Sequence, residues 1–144
     1  MFKLKIFRKD LGIASGFDLG DMQFVFDGGE VSSSEHTRFR MMIYLSVVSL
    51  IDGLLALKGN GSFEFVGVDS SFSLRFKLEK KGVLVTSGLS SLGCSSMNEL
   101  LRGIDLGVEE FVNAGNSLPL NDSVSSDFDA ARADLKLAIT RTAQ

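Results

Sequence analysis

A single cysteine, a single histidine, a single proline and one tyrosine, with no tryptophan, are spread through a chain of 144 residues. Cys94 has no partner for an internal disulfide, so nothing in the chain is built for an oxidising compartment. His36, standing alone, excludes a two-histidine metal site and any Ser-His-Asp set that does not include it. With Pro119 the only proline and the glycines scattered, a low-complexity chain is excluded as well. Basic excess is also missing. A net charge of −3 and a pI near 5.1 argue against a general nucleic-acid binder, which needs cations to neutralise phosphates, and leave room for a basic protein partner. Neither GxxxxGK[ST] nor a GxGxxG after a strand occurs, so Gly59-Asn60-Gly61 and the stretch from Gly88 to Gly93 read as turns.

What is present is apolar and aromatic. Hydrophobic residues make up 44% of the chain, twelve of them Phe, against 23% charged residues, which predicts one folded domain over residues 1–144. The start, MFKLKIFRKD, alternates charge with apolar side chains and has no continuous apolar segment of the kind a secretory signal carries, which places the protein in the cytoplasm. Between Met41 and Leu57 only Ser46, Ser49, Asp52 and Gly53 interrupt a run of apolar residues. Small or polar residues at 46, 49, 52, 53 and 56 form a narrow stripe at helical spacing, so this is a helix covered on nearly every side. Arg38, Arg40 and Lys58 flank it as they would a membrane span. The run is short against the ~20 residues a span needs and contains Asp52, so it reads as a buried helix of a protein that does not enter the membrane.

The rest of the chain arranges itself around that helix. Phe2, Leu4 and Ile6 alternate with Lys3 and Lys5, giving a strand over 2–8, and Met22, Phe24 and Phe26 give a second over 21–27. Asp27-Gly28-Gly29 is a turn. Ser32 and Glu35 fit a capping box, so the central helix is expected to begin there or a few residues later and to end near Lys58. Phe63 and Phe65, then Phe72 to Leu78, then Val83 to Thr86 form a meander of three strands. A second capping box at Ser96 and Glu99 opens an amphipathic helix that ends at Gly115, and Ser126 caps a last one bearing Phe128, Ala131, Leu135 and Ala138. The expected fold is α+β in the order β-β-α-β-β-β-α-α. Five mostly antiparallel strands form one sheet, the central helix packs on one face, and two C-terminal helices cover the helix's other side.

Few residues offer chemistry. Asp52, inside the apolar helix, requires a partner such as Tyr44, Ser49 or Arg75 if buried, and a raised pKa there would make it an acid or base. His36 in a serine-rich helix start and Cys94 before a helix are its only conceivable companions, and their spacing supports no site. Charge placement says more. Ser15 to His36 holds Asp18, Asp21, Asp27, Glu30 and Glu35 without a Lys or Arg, and Glu99 to Asp134 holds eight acids, among them Glu109, Glu110, Asp122 and Asp127, against Arg102 and Arg132. As sets they form acidic faces that steer a basic partner. Asp18, Asp21, Asp27 and Glu30 are the favoured contacts because they lie in and beside loops, with Glu109, Glu110, Asp122 and Asp127 second. Reversal of Asp18, Asp21 and Asp27 to Lys is accordingly expected to leave stability nearly unchanged.

A small acidic chain with this order of elements, the Phe-rich meander SFEFVGVDSSFSLRFKLE and the late helix SxxELLRGIDLGVEEFV resembles the immunity proteins of bacterial polymorphic toxin systems, including those of contact-dependent growth inhibition. The resemblance implies a cytoplasmic, non-enzymatic protein without metal or cofactor. It would bind one cognate toxin domain, often a nuclease, as a monomer or 1:1 heterodimer, and block the active site or substrate path without touching nucleic acid itself. Two other classes compete with it: an adaptor or secretion chaperone, which would expose a large apolar patch, and a small enzyme using Asp52 with His36 or Cys94.

Overall fold

Alternation produces the first strand where it was expected. In the computed structural model, which describes residues 1–143, β1 spans Phe2–Arg8 with Phe2, Leu4 and Ile6 buried and Lys3 and Lys5 exposed. It pairs antiparallel with β2, Leu19–Phe26, in the register Phe2 to Phe26 through Arg8 to Gly20. Asp27-Gly28 is a two-residue hairpin loop, because β3, Gly29–Ser32, returns directly along β2. A short β4, Met41–Met42, then pairs with Leu19 and Gly20 and closes a four-stranded sheet.

The central helix α1 occupies Ile43–Leu55, thirteen residues, and of these only Asp52 is exposed. At 1.5 Å per residue it is about 20 Å long, short of a ~30 Å hydrocarbon layer. No helix among the described residues is long and apolar enough to cross a membrane. The expected start at Ser32 is corrected. Ser32 caps one tight turn, Ser33–Glu35, accepting from the Ser34 amide at 3.1 Å, and the chain turns again over Thr37–Phe39 before β4.

After α1 come β5 (Ser62–Val66), β6 (Ser73–Glu79), β7 (Gly82–Ser87) and β8 (Ser90–Ser95), each paired antiparallel with the next. The expectation of one five-stranded sheet therefore fails: eight strands form two four-stranded antiparallel sheets. The missing strands are β3, β4 and β8. β8, SSLGCS, carries no β-branched or aromatic residue and takes its place by following the two-residue turn Gly88-Leu89, where Gly88 has φ +59°. Its Gly93 lies where an added Cβ would stand 3.2 Å from that of Phe26, so β8 runs against the first sheet's hairpin and joins the two sheets. Between them the core is aromatic, with the Phe24 ring centroid 6.2 Å from Phe65 and 6.1 Å from Phe72.

Two long helices complete the molecule. α2, Met97–Phe111, is capped as its sequence predicts, the Ser96 hydroxyl accepting from the Glu99 amide at 3.1 Å. A wide turn over Val112–Asn116, with Gly115 at φ +89°, stops it, and α3, Ser125–Thr142, follows. Only α3 covers α1. The main seat of α2 is β1, an edge strand, where Gly103 and Gly107 admit the carbonyls of Phe2 and Leu4 against the helix backbone. Those carbonyls are two residues apart, hence on one side of the strand, and α2 shields the edge they would otherwise leave open.

Candidate functional site

Asn116, the last residue of the wide turn after α2, ties three elements together. Its side-chain oxygen accepts from Arg8 Nε at 2.9 Å, its side-chain nitrogen donates to the Phe111 carbonyl at 2.9 Å, and its own carbonyl accepts from the Tyr44 hydroxyl at 2.6 Å. Arg8, at the end of β1, also donates to Asp18 Oδ2 at 3.0 Å and to the Gly12 carbonyl at 2.7 Å. The β1–β2 loop is bound within itself, Asp18 accepting from the Ser15 amide at 2.8 Å and Asp10 from the Leu19 amide at 2.8 Å. Asp122 then joins that loop to the α2–α3 connection, accepting from the Gly16 amide at 3.0 Å and the Val124 amide at 2.9 Å. The result is one end of the molecule built from two loops locked to each other.

Placed on this frame, the acids singled out from sequence divide by task. Asp18 and Asp122 are clamp residues. Asp21 is buried, accepting from the Ser33 hydroxyl at 2.8 Å with Arg40 Nε 4.0 Å away. Asp27 is exposed and pairs with the N-terminal ammonium at 2.9 Å, and Glu30 is exposed beside Gln23. Glu109, Glu110 and Asp127 are exposed on α2 and α3, at the end where those helices adjoin the locked loops. The second-choice helical acids are thus presented to solvent, whereas two of the four favoured loop acids serve the fold.

The three candidates for chemistry lie on three different elements. Asp52 is exposed on α1, and among the described residues none of Tyr44, Ser49 or Arg75 bonds to its carboxylate. Partial desolvation first, and then the like charges of Asp134 and Asp127 on α3, push its pKa above the ordinary value. His36 accepts from the Arg38 amide through Nδ1 at 3.2 Å and leans on Phe39, and exposed Cys94 borders a small cleft with Met1, Phe26 and Asp27. Among the described residues no group of three His, Cys, Asp or Glu side chains is placed to hold a metal ion.

The sequence reading missed what the locked loops carry. Leu11, Ile13 and Phe17 on one and Leu120 on the other are exposed large apolar side chains. Their signal was apolar residues inside a Gly- and Asp-containing loop, outside any strand or helix period. Comparison of the chain with protein-family models, with curated proteins and with solved structures finds no match.

Tyr44 offers a direct test of how tightly this end is closed. Burial pushes its hydroxyl up to about 12, against a smaller downward pull from Arg8. Because the folded value lies above the ~10 of an unfolded chain, Tyr44 contributes stability that is fully present below pH ~10 and is lost as pH rises through its folded value. Tyrosinate absorbance reports this hydroxyl alone, since the chain has one tyrosine and no tryptophan. The expected midpoint is near 12 in the folded protein, falling to about 10 in denaturant. A folded-state midpoint near 10 would show the ring open to water.

Proposed function

We propose that the protein is an immunity protein that binds one cognate bacterial toxin domain, basic around its active site, and blocks that site or the path to it. The observation that supports this reading is the division among the acids. Asp18, Asp21 and Asp122 have work inside the fold, while Glu109, Glu110, Asp127, Asp129 and Asp134 stand exposed on the two C-terminal helices. Carboxylates presented along helix faces attract a partner that must itself be cationic to hold nucleic acid, and so speed the encounter. In this reading the protein works in the cytoplasm by occupancy, without a reaction of its own, as a monomer that forms a 1:1 complex.

The test takes the reading frame immediately upstream of this chain's own and any toxin domain that it encodes. Co-expression is expected to give a 1:1 complex in which the domain is inactive. Glu109→Lys with Glu110→Lys should slow association by about tenfold at low salt and lose most of that difference at high salt, since exposed charges are screened beyond ~8 Å at physiological ionic strength. An upstream domain that neither binds nor is inhibited overturns the proposal. The exposed apolar loop residues favour a second reading, an adaptor or secretion chaperone. That reading requires binding to an unfolded or extended segment rather than to a folded, active domain.

A further inference from the structure

The exposure of the loop apolar residues is extreme. Leu11 and Leu120 each have 95% of their surface open, Ile13 86% and Phe17 56%. A slack loop would explain this if it had no internal bonds, but here Arg8, Asp10, Asp18 and Asp122 fix its backbone at distances of 2.7–3.0 Å. Holding apolar side chains outward on a loop already ordered removes the entropy that docking would otherwise cost. Rigid apolar groups standing clear of the core are what a partner's pocket takes up as an anchor.

We propose that Leu11, Ile13, Phe17 and Leu120 form the anchor with which the protein enters an apolar pocket, rimmed by basic side chains, on the toxin domain. The inference rests on the function proposed above. Three occupants compete for such a surface, and charge decides among them. Across residues 8–18 and 116–129, Arg8 and Asp18 neutralise each other, and Asp10, Asp122, Asp127 and Asp129 outnumber Lys9. A second copy docked through the same surface by a two-fold axis would set these acids against themselves. Anionic lipid would be repelled for the same reason. A basic rim is attracted, and the apolar centre then supplies the hold.

The experiment compares Leu11→Ser with Ile13→Ser together, Leu120→Ser alone, and Leu89→Ser as control. Leu89 is fully exposed too, but at the β7–β8 turn. None of these side chains is in the core, so melting temperatures should match the parent's. Against the upstream toxin domain, Kd should rise about a hundredfold for the double variant and about tenfold for Leu120→Ser, chiefly through faster dissociation, and stay unchanged for Leu89→Ser. If the parent binds and the tip variants bind as tightly, the anchor is overturned and the proposed function stands. If the parent does not bind, both fall. A parent that sediments as a dimer broken by the tip variants, or that co-sediments with phosphatidylserine vesicles, overturns the assignment to a basic protein pocket.

Discussion

Replacing Asp18 by Lys is expected to cost about 2–3 kcal/mol of folding stability, somewhat below the ~3–5 kcal/mol for stripping one member from a fully buried ion pair, because this pair is part-buried. Arg8 and Asp18 are only 9% and 14% exposed, with Arg8 Nη1 3.0 Å from Asp18 Oδ2. A lysine there leaves the guanidinium without its counter-charge and adds a second cation beside it. The Ser15 amide loses its acceptor as well. Asp27→Lys is the fitting contrast, because Asp27 is 76% exposed and its partner is the exposed N-terminal ammonium. That change should move stability by less than about 1 kcal/mol. Denaturant midpoints at constant slope separate the two outcomes, and equal midpoints would show that the Arg8 clamp does not hold in solution. Of Asp18, Asp21 and Asp27, all three expected from sequence to tolerate reversal, the structure ties Asp18 to Arg8 and buries Asp21 against Ser33, and leaves only Asp27 exposed.

Gly107→Ala should destabilise by about 1–3 kcal/mol, the cost of overpacking, where the same change in an open helix gains about 1 kcal/mol. The reversal of sign comes from β1. A Cβ at Gly107 would run into the Leu4 carbonyl oxygen, with the Leu4 carbonyl carbon 3.1 Å away, and backbone held in a sheet has nowhere to go. At Gly103 the new methyl group meets Phe2 Cδ2 at 2.5 Å and the Phe2 carbonyl at 3.0 Å. Phe2 packs closely against Phe26, the two rings tilted with centroids 4.8 Å apart, so its ring is no freer. A midpoint that rises in Gly107→Ala would mean that α2 does not sit on the strand.

Local patterns carried the parts of the fold that local forces decide. β1 was legible in the alternation of Phe2, Leu4 and Ile6 with lysine, and α2 in its Ser96 cap and three-and-four spacing. β3 and β8 were not, because neither GEVS nor SSLGCS has an intrinsic preference for a strand. Each becomes one by being delivered to a neighbour by a two-residue turn. The apolar run at Met41 predicted a helix but gave no reason for its first two residues to join a sheet, which depends on Leu19 and Gly20 being within reach. For the site the limit was of the same kind. Asp18 and Asp21 look in sequence just like Asp27 and Glu30, and only the arrival of Arg8 and Ser33 makes them internal. The apolar loop residues were readable as letters, but their outward presentation depends on a clamp that closes through Asn116 and Asp122.

The seating of α2 on β1 also sets an order of events in synthesis. Of the elements described, β1 is made before the rest, and the helix that shields its edge follows only after both sheets. Hairpins such as β1–β2 and β5–β6 close over short loops, whereas bringing Gly107 to Leu4 closes a loop that takes in both sheets and α1, and comes late. Until then β1 offers a bare edge and an apolar face to any neighbouring nascent chain. Lys3 and Lys5 lie on that strand, and charge on an unpaired edge is the device that keeps it from recruiting a stranger before its own helix arrives.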